Sequence, residues 1–374
     1  RSTLFPYTTL FRSASIDNVR YVEGVYVGYR YFDSANVKPL YPFGFGKSYT
    51  DFSITKDSVT NKKDVITIKA KVKNTGKYNG KEVVEVYVSP SQQNKDKPYQ
   101  SLVAFKKTKE LKPDEEQTLT LTFKLSDVAR YDESTASYIL DKGTYLVRVG
   151  NSSDKTSVFC MISLDENITT EKLKNVGGES DFGDLELIVR YKDDLTDVEK
   201  IKLTKDDFTT KEVKYDYSPK FNELITGLSM EDVGKVCICS FNGVSHLFGE
   251  AGETVQDIPD IKNYLVLADG PAGLRLVKKY GEDEKGKYRL CVNPIEERLI
   301  DYLSEEEYAK LDTLENNKDR KGEVHYQFAT AIPIATALAQ SFNEDFLEIV
   351  GDIVGKEMEI FGVNLWLAPG LNIH

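Results

Sequence analysis

The chain has 374 residues, 40% of them hydrophobic, with 49 basic against 60 acidic side chains and a formal net charge of −11. That is room for two or three domains with real cores, and the acidic balance argues against nucleic acid and anionic membrane as partners, since both need a basic footprint. No apolar run is long enough to span a bilayer, and the cysteines (Cys160, Cys237, Cys239, Cys291) read as buried thiols rather than a disulfide framework or a metal site, which favours a reducing, cytoplasmic setting without excluding secretion.

Arg1–Ser13, RSTLFPYTTLFRS, has no charged start followed by a continuous apolar run, so it is not a signal peptide. It looks like the in-frame translation of a sequencing-library adapter, and residues 1–13 are set aside from fold reasoning. The next piece, 14–50, holds EGVYVGYRYFD and PLYPFGFGKSY. A flexible linker is rich in Ser and Gly and poor in aromatics; this segment has too many aromatic residues to float free and must pack on something. Glu23 is a tempting acid here, but nothing assigns it a catalytic role.

Residues 51–164 alternate. Ile66, Ile68, Ala70 and Val72 share one face, and Thr67, Lys69 and Lys71 the other; Leu119, Leu121 and Phe123 alternate with threonines in the same way. Turn signals at Asn74-Thr75-Gly76, Asn79-Gly80 and Asp141-Lys142-Gly143 separate the strands, which predicts a β-sandwich of about seven. Residues 165–219 form a charged connector, with short strands predicted over Leu185–Tyr191 and Val198–Leu203. Its acidic run is read as a solvated face rather than a cation site.

In the region 220–374, Ser229 with Asp232 is an N-cap pattern ahead of Val233 and Val236. Tyr264–Ala268 is a short apolar run of buried-strand type. Asp269 follows at its lip, Gly270, Pro271 and Gly273 force a turn, and Arg275 comes six residues after the Asp. An ionised carboxylate accepts from neighbouring hydroxyls and a guanidinium donates, so this pair could hold a sugar ring. On spacing alone, an Asp capping the next helix beside a surface Arg is the more ordinary reading. Val277–Val324 is dense in charge, and LSEEEYAKL suggests helix without an apolar face; it is expected to hang over the entrance to the site. After Phe328 come a loop and a short helix. Ser341–Glu344 is then read as a capping box, Phe346, Ile349, Val350, Ile353, Val354 and Phe361 recur at helical spacing, Gly362 stops the helix, and Val363–Leu367 is a buried strand. Trp366 is read as core rather than sugar platform, and His374 has no role.

ADGPAGLR at 268–275 resembles the first strand-end motif in the catalytic barrel of glycoside hydrolase family 3, the β-glucosidase family. EGVYVGYRYFD with PLYPFGFGKSYTDF, VKNTGKYNGKEVVEVYV and GKEMEIFGVNLWLAPGLNIH are similar to further stretches of that family. The resemblance implies a multidomain α+β chain: the tail of an α/β sandwich domain, then a fibronectin type III-like β-sandwich, then the first part of a (β/α)8 barrel. This order resembles the family's subgroup with reversed domain arrangement; the alternative is an assembly error joining two genes. It implies that Asp269 and Arg275 bind the sugar next to the scissile bond, with a small sugar or oligosaccharide as substrate, no cofactor, and a homo-oligomeric parent left open. The family's S-D-W-like nucleophile motif and its K-H-[FY] motif do not occur in this chain, so it is expected to be inert alone, with the sandwich its only well-formed unit. A non-enzymatic sandwich for adhesion or carbohydrate binding is the alternative; it accounts for 51–164 but not for ADGPAGLR.

Overall fold

The computed structural model describes residues 21–91, 97–177, 183, 185–187, 193, 195–215, 227–237, 239–240, 247–254, 265–290, 304 and 317–370. The 1–13 stretch, Tyr264, Cys291, most of LSEEEYAKL and His374 lie outside them, as do the side chains of Cys237 and Cys239. The chain divides into two compact units, one within residues 1–216 and one within 217–372.

Among the described residues, the first unit opens with a short helix, α1 (Tyr29–Ser34), and an irregular aromatic run. Nine strands follow up to Leu164: β1 (Phe52–Lys62), β2 (Val65–Asn74), β3 (Val83–Ser89), β4 (Ser101–Lys107), β5 (Glu116–Lys124), β6 (Arg130–Asp132), β7 (Ser137–Leu140), β8 (Gly143–Gly150) and β9 (Thr156–Leu164). The two more than expected are β6 and β7, a short hairpin around the turn at 133–136. The charged connector adds β10 (Ile168–Lys172), β11 (Glu199–Leu203) and β12 (Lys211–Glu212). Rather than forming a sheet of its own, it joins the sandwich. β11, where the predicted strand over Val198–Leu203 falls, lies parallel to β9, and β12 lies parallel to β10. Of the other predicted strand, residues 185–187 are described and are not in a strand. The sheets run β1-β2-β5, β11-β9-β8-β3-β4 and β12-β10-β7-β6.

Alternation decides which side chains enter the core. Ile66, Ile68, Ala70 and Val72 of β2 are fully buried, and they share one apolar cluster with Leu119, Leu121 and Phe123 of β5, Val84, Val86 and Val88 of β3, and Val147 of β8. Thr118, Thr120 and Thr122 face out. Cys160 is buried in the same cluster, and burial pushes its thiol up to about 12, so it is an inert packing group.

The opposite face of β3 and β8 is polar, and it is covered too. Glu85, Tyr87, Ser89 and Arg148 are buried there beneath the aromatic run that precedes the sandwich. The Tyr29 ring lies 4.7 Å from Phe43 and 5.9 Å, edge-on, from Tyr87; its hydroxyl accepts from the Leu102 amide at 2.7 Å. The Phe43 carbonyl accepts from Ser153 N at 2.8 Å. The run therefore packs as its aromatic content requires. Arg148 donates to Ser89 at 2.7 Å and grips both carboxylate oxygens of Asp193 at 2.7 and 2.5 Å. Glu85 receives Tyr87 Oη at 2.5 Å on one oxygen, while the other has no hydrogen-bond partner among the described residues. Burial pushes the Glu85 carboxyl up to about 7. Gly44, at φ +81°, sits so close that a Cβ there would lie 2.5 Å from both carboxyl oxygens. At the other end of β3, buried Asp141 accepts from Lys97 at 2.5 Å and from Arg130 at 2.9 Å.

The second unit contains α2 (Met230–Cys237), β13 (Cys239–Ser240), β14 (Gly252–Thr254), β15 (Val266–Asp269), β16 (Lys279–Asp283), β17 (Gly286–Arg289), β18 (Glu323–Tyr326), α3 (Ala335–Ala339), α4 (Glu344–Phe361) and β19 (Leu365–Leu367). Ser229 caps α2 as expected: its hydroxyl accepts from Asp232 N at 3.1 Å, and Ser229 N donates to Asp232 Oδ2 at 3.3 Å. The main sheet runs β13-β14-β15-β19, with β15 and β19 parallel and α3 and α4 in the crossover between them. β14 is antiparallel to β15, so among the described residues this sheet holds one parallel pair with an antiparallel flank and not a closed barrel.

One expectation needs correction, and it concerns the cap of α4. While most of LSEEEYAKL, where helix is expected, falls outside the described residues, the described part of the charged insertion adds a three-stranded antiparallel sheet, β17-β16-β18. Its turn is local chemistry: Asp283 Oδ1 accepts from Lys285 N at 2.8 Å, and Gly286 takes φ +99°. Arg320 then pins the turn through Asp283 and lies 4.0 Å over the Tyr288 ring. The cap of α4 is Asn343, not Ser341: Phe342 turns through φ +47°, so the helix starts two residues later and the Asn343 side chain accepts from Phe346 N at 3.3 Å. Gly362 ends α4 at φ +72°, as predicted. Within α4 only Val350 and Val354 are buried, while Phe346, Ile349 and Ile353 stay exposed, so the buried stripe is narrower than the apolar pattern.

Candidate functional site

Asp269 is the last residue of β15, in register with Leu367 at the end of the parallel strand β19. Both strands point the same way, so the loops leaving their C-terminal ends emerge at one edge of the sheet, which is where α/β folds collect ligand-binding groups. The turn after Asp269 depends on its glycines. Gly270 stands at φ +132° and a Cβ on it would run into the Gly273 carbonyl oxygen; Gly273, at φ +104°, is pressed against the Thr330 carbonyl. The loop closes on itself as Arg275 N donates to Asp269 O at 2.9 Å and Gly273 N to Gly270 O at 3.2 Å.

That closure brings the two predicted side chains together. Arg275 Nη2 donates to Asp269 Oδ2 at 2.5 Å, with the Arg side chain 67% and the Asp side chain 37% exposed. An ion pair this open contributes no more than about 1 kcal/mol to stability, so the fold does not depend on it and both groups are presented to solvent. The carboxylate accepts and the guanidinium donates, a pairing suited to adjacent hydroxyls on one ring.

The loop is braced from behind by residues that the motif alone did not reveal. Trp366, the only Trp in the chain, packs partly buried against the small core of Val266, Ala268, Leu274 and Val354 and donates its indole N–H to Gly270 O at 2.8 Å. It is thus core, as read, and also a tie to the motif. Its register opposite Ala268 is the signal that could have shown this. Ile332 N donates to Ala272 O at 3.0 Å, and Thr330 N and Oγ1 are held by Glu357 of α4 at 2.9 and 2.5 Å. Glu23, given no catalytic role, is buried in the first unit. Among the described residues no group of three or more His, Cys, Asp or Glu could hold a metal ion, and no helix is long and apolar enough to cross a membrane.

Comparison with known proteins agrees with this architecture. Residues 82–153 match the model of the fibronectin type III-like domain. A β-glucosidase from Ruminococcus albus is 27% identical over 379 residues in an alignment covering 100% of this chain and 37% of that enzyme. Thermostable β-glucosidase B from Acetivibrio thermocellus is 41% identical over 142 residues, 37% of this chain and 18% of the enzyme. Among solved structures, a β-glucosidase from Paenibacillus barengoltzii superposes with a TM-score of 0.62 at 23% identity, over 95% of this chain and 38% of its own, which shows the shared fold. The chain thus spans well under half the length of each of these relatives. By its end-to-end alignment with one β-glucosidase, its fibronectin type III-like domain and the fold it shares with another, the chain is similar to part of the β-glucosidases.

Proposed function

We propose that this chain is part of a retaining β-glycosidase acting on terminal β-glucosides or related oligosaccharides, and that Asp269 and Arg275 grip the sugar beside the bond to be cut. The observation that carries the reading is the facing, solvent-open Asp269–Arg275 pair at the end of a parallel strand. The end-to-end relation to a β-glucosidase supports the chemistry and also the order of parts, since one alignment runs through the whole chain. Retention needs two carboxyl groups roughly 5–5.5 Å apart, one attacking the anomeric carbon to form a glycosyl-enzyme and one protonating the leaving oxygen and then activating water. On this reading Asp269 binds hydroxyls and fills neither role, and the chain alone holds sugar without cleaving it.

Trp366 supplies the test, because its indole is bonded to the loop that presents Asp269. Titration of the purified chain with glucose should shift Trp366 emission saturably, and Asp269→Ala should abolish the shift. An unchanged titration in that variant would overturn the assignment of the clamp. Release of nitrophenol from an aryl β-glucoside by the purified chain would overturn the claim that it is inert.

A further inference from the structure

We propose that a hollow of about 550 Å³ in the first unit is a separate binding site for a neutral carbohydrate. It lies where the β1–β2 turn (Lys63, Asp64), the turn after β5 (Lys124–Asp127) and the strands β7 and β10 meet, and residues 207–211 wall off the remaining side. That wall comes from the charged run beyond β9, which the chain brings back to this spot: Asp64 N donates to Asp207 O at 3.2 Å, and Val213 N to Lys172 O at 3.0 Å.

Its acceptors are fixed in advance. Asp64 is held by Ser126 Oγ at 3.0 Å, Asp127 by Lys124 N at 3.1 Å, Asp207 by Thr204 N at 2.8 Å and Glu171 by Lys211 Nζ at 2.9 Å. A carboxylate has about four lone-pair directions, so each of these retains capacity for a hydroxyl. The donors are the ammonium groups of Lys63 and Lys124, neither of which pairs with a carboxylate among the described residues, and Lys63 is held at φ +56°, a conformation that costs a non-glycine residue energy. Tyr138, partly exposed on β7, offers a flat apolar face. Three lysines against four carboxylates nearly cancel, which disfavours a strongly charged ligand of either sign. Fixed acceptors, free donors and one aromatic face in a hollow of ligand-binding size match a polyhydroxylated ring, whose hydroxyls both donate and accept and whose C–H face stacks on an aromatic ring.

The test uses the full chain carrying Asp269→Ala, which silences the other candidate sugar site, titrated calorimetrically with cellotriose. Saturable millimolar binding is expected, with Tyr138→Ala weakening it about tenfold through loss of the stacking face. Lys124→Met, at an exposed position that keeps the sandwich core intact, should weaken it by a similar factor. No saturable binding in the Asp269→Ala chain, or binding left unchanged by both further substitutions, would overturn the proposal.

Discussion

Glu85→Gln should remove a pH dependence that the buried carboxyl imposes on the sandwich. Desolvation pushes the Glu85 carboxyl from 4.5 to about 7, against the opposing hydrogen bond from Tyr87 and with repulsion from Glu82. The native state therefore keeps its proton where the unfolded chain has lost it. Between about pH 4.5 and pH 7 the folded form binds more protons, so stability falls as pH rises through that window and levels off above it. At about 1.4 kcal/mol per pKa unit, the loss is about 3 kcal/mol. The uncharged amide of Gln has nearly the shape of the protonated acid, so the variant should match the native protein near pH 5 to within about 1 kcal/mol and then show no corresponding fall. Urea unfolding between about pH 5 and pH 8, read by exchange labelling of the β3 peptide, isolates this unit. Asp33, raised by burial in the same layer, contributes a fall of the same sign, so the quantity that counts is the difference between the native chain and Glu85→Gln. A difference that stays flat across the range would refute the reasoning.

Four further substitutions probe other joints. Gly44→Ala forces a Cβ onto the Glu85 carboxyl at φ +81° and should cost about 2–4 kcal/mol, measured by urea unfolding of the same unit. Asp141→Ala leaves the buried Lys97 ammonium without its carboxylate, a loss of about 3–5 kcal/mol that should show as a lower thermal midpoint. Asn343→Ala removes the α4 cap and should cost about 1 kcal/mol, whereas Ser341→Ala should cost less; equal losses in urea unfolding followed by Trp366 fluorescence would place the cap wrongly.

Much of this architecture is legible one residue at a time. Period-two alternation in β2 and β5 names the core because a strand with one wet face cannot slip without exposing it. Gly362 and Ser229 mark helix ends through local backbone chemistry. Asp269 and Arg275 are brought together because only six positions and two glycines separate them, so the contact is local. Non-local facts are harder to read. The alternation sets Glu85 opposite Val84 and Val86, but nothing in VVEVYV says that a segment some forty residues earlier will cover that face. Val198–Leu203 reads as a short strand, but only its pairing with β9 shows that Ile201 and Leu203 turn inward. Asn343 displaces Ser341 as a cap because Phe342 adopts a left-handed conformation, a choice that the residue type does not announce.

β11 matters for how the module can be handled on its own. The rim it covers is β9, TSVFCMISL, a run rich in β-branched and aromatic residues with no charge among its nine positions. Left bare, such a rim is a template on which identical chains can stack. β11 closes it with Lys200 and Lys202 turned to water, so the outermost strand that strangers meet is a repelling one. A recombinant module trimmed after Leu164 would discard that guard and should precipitate, while one carried on to Tyr215 should stay in solution.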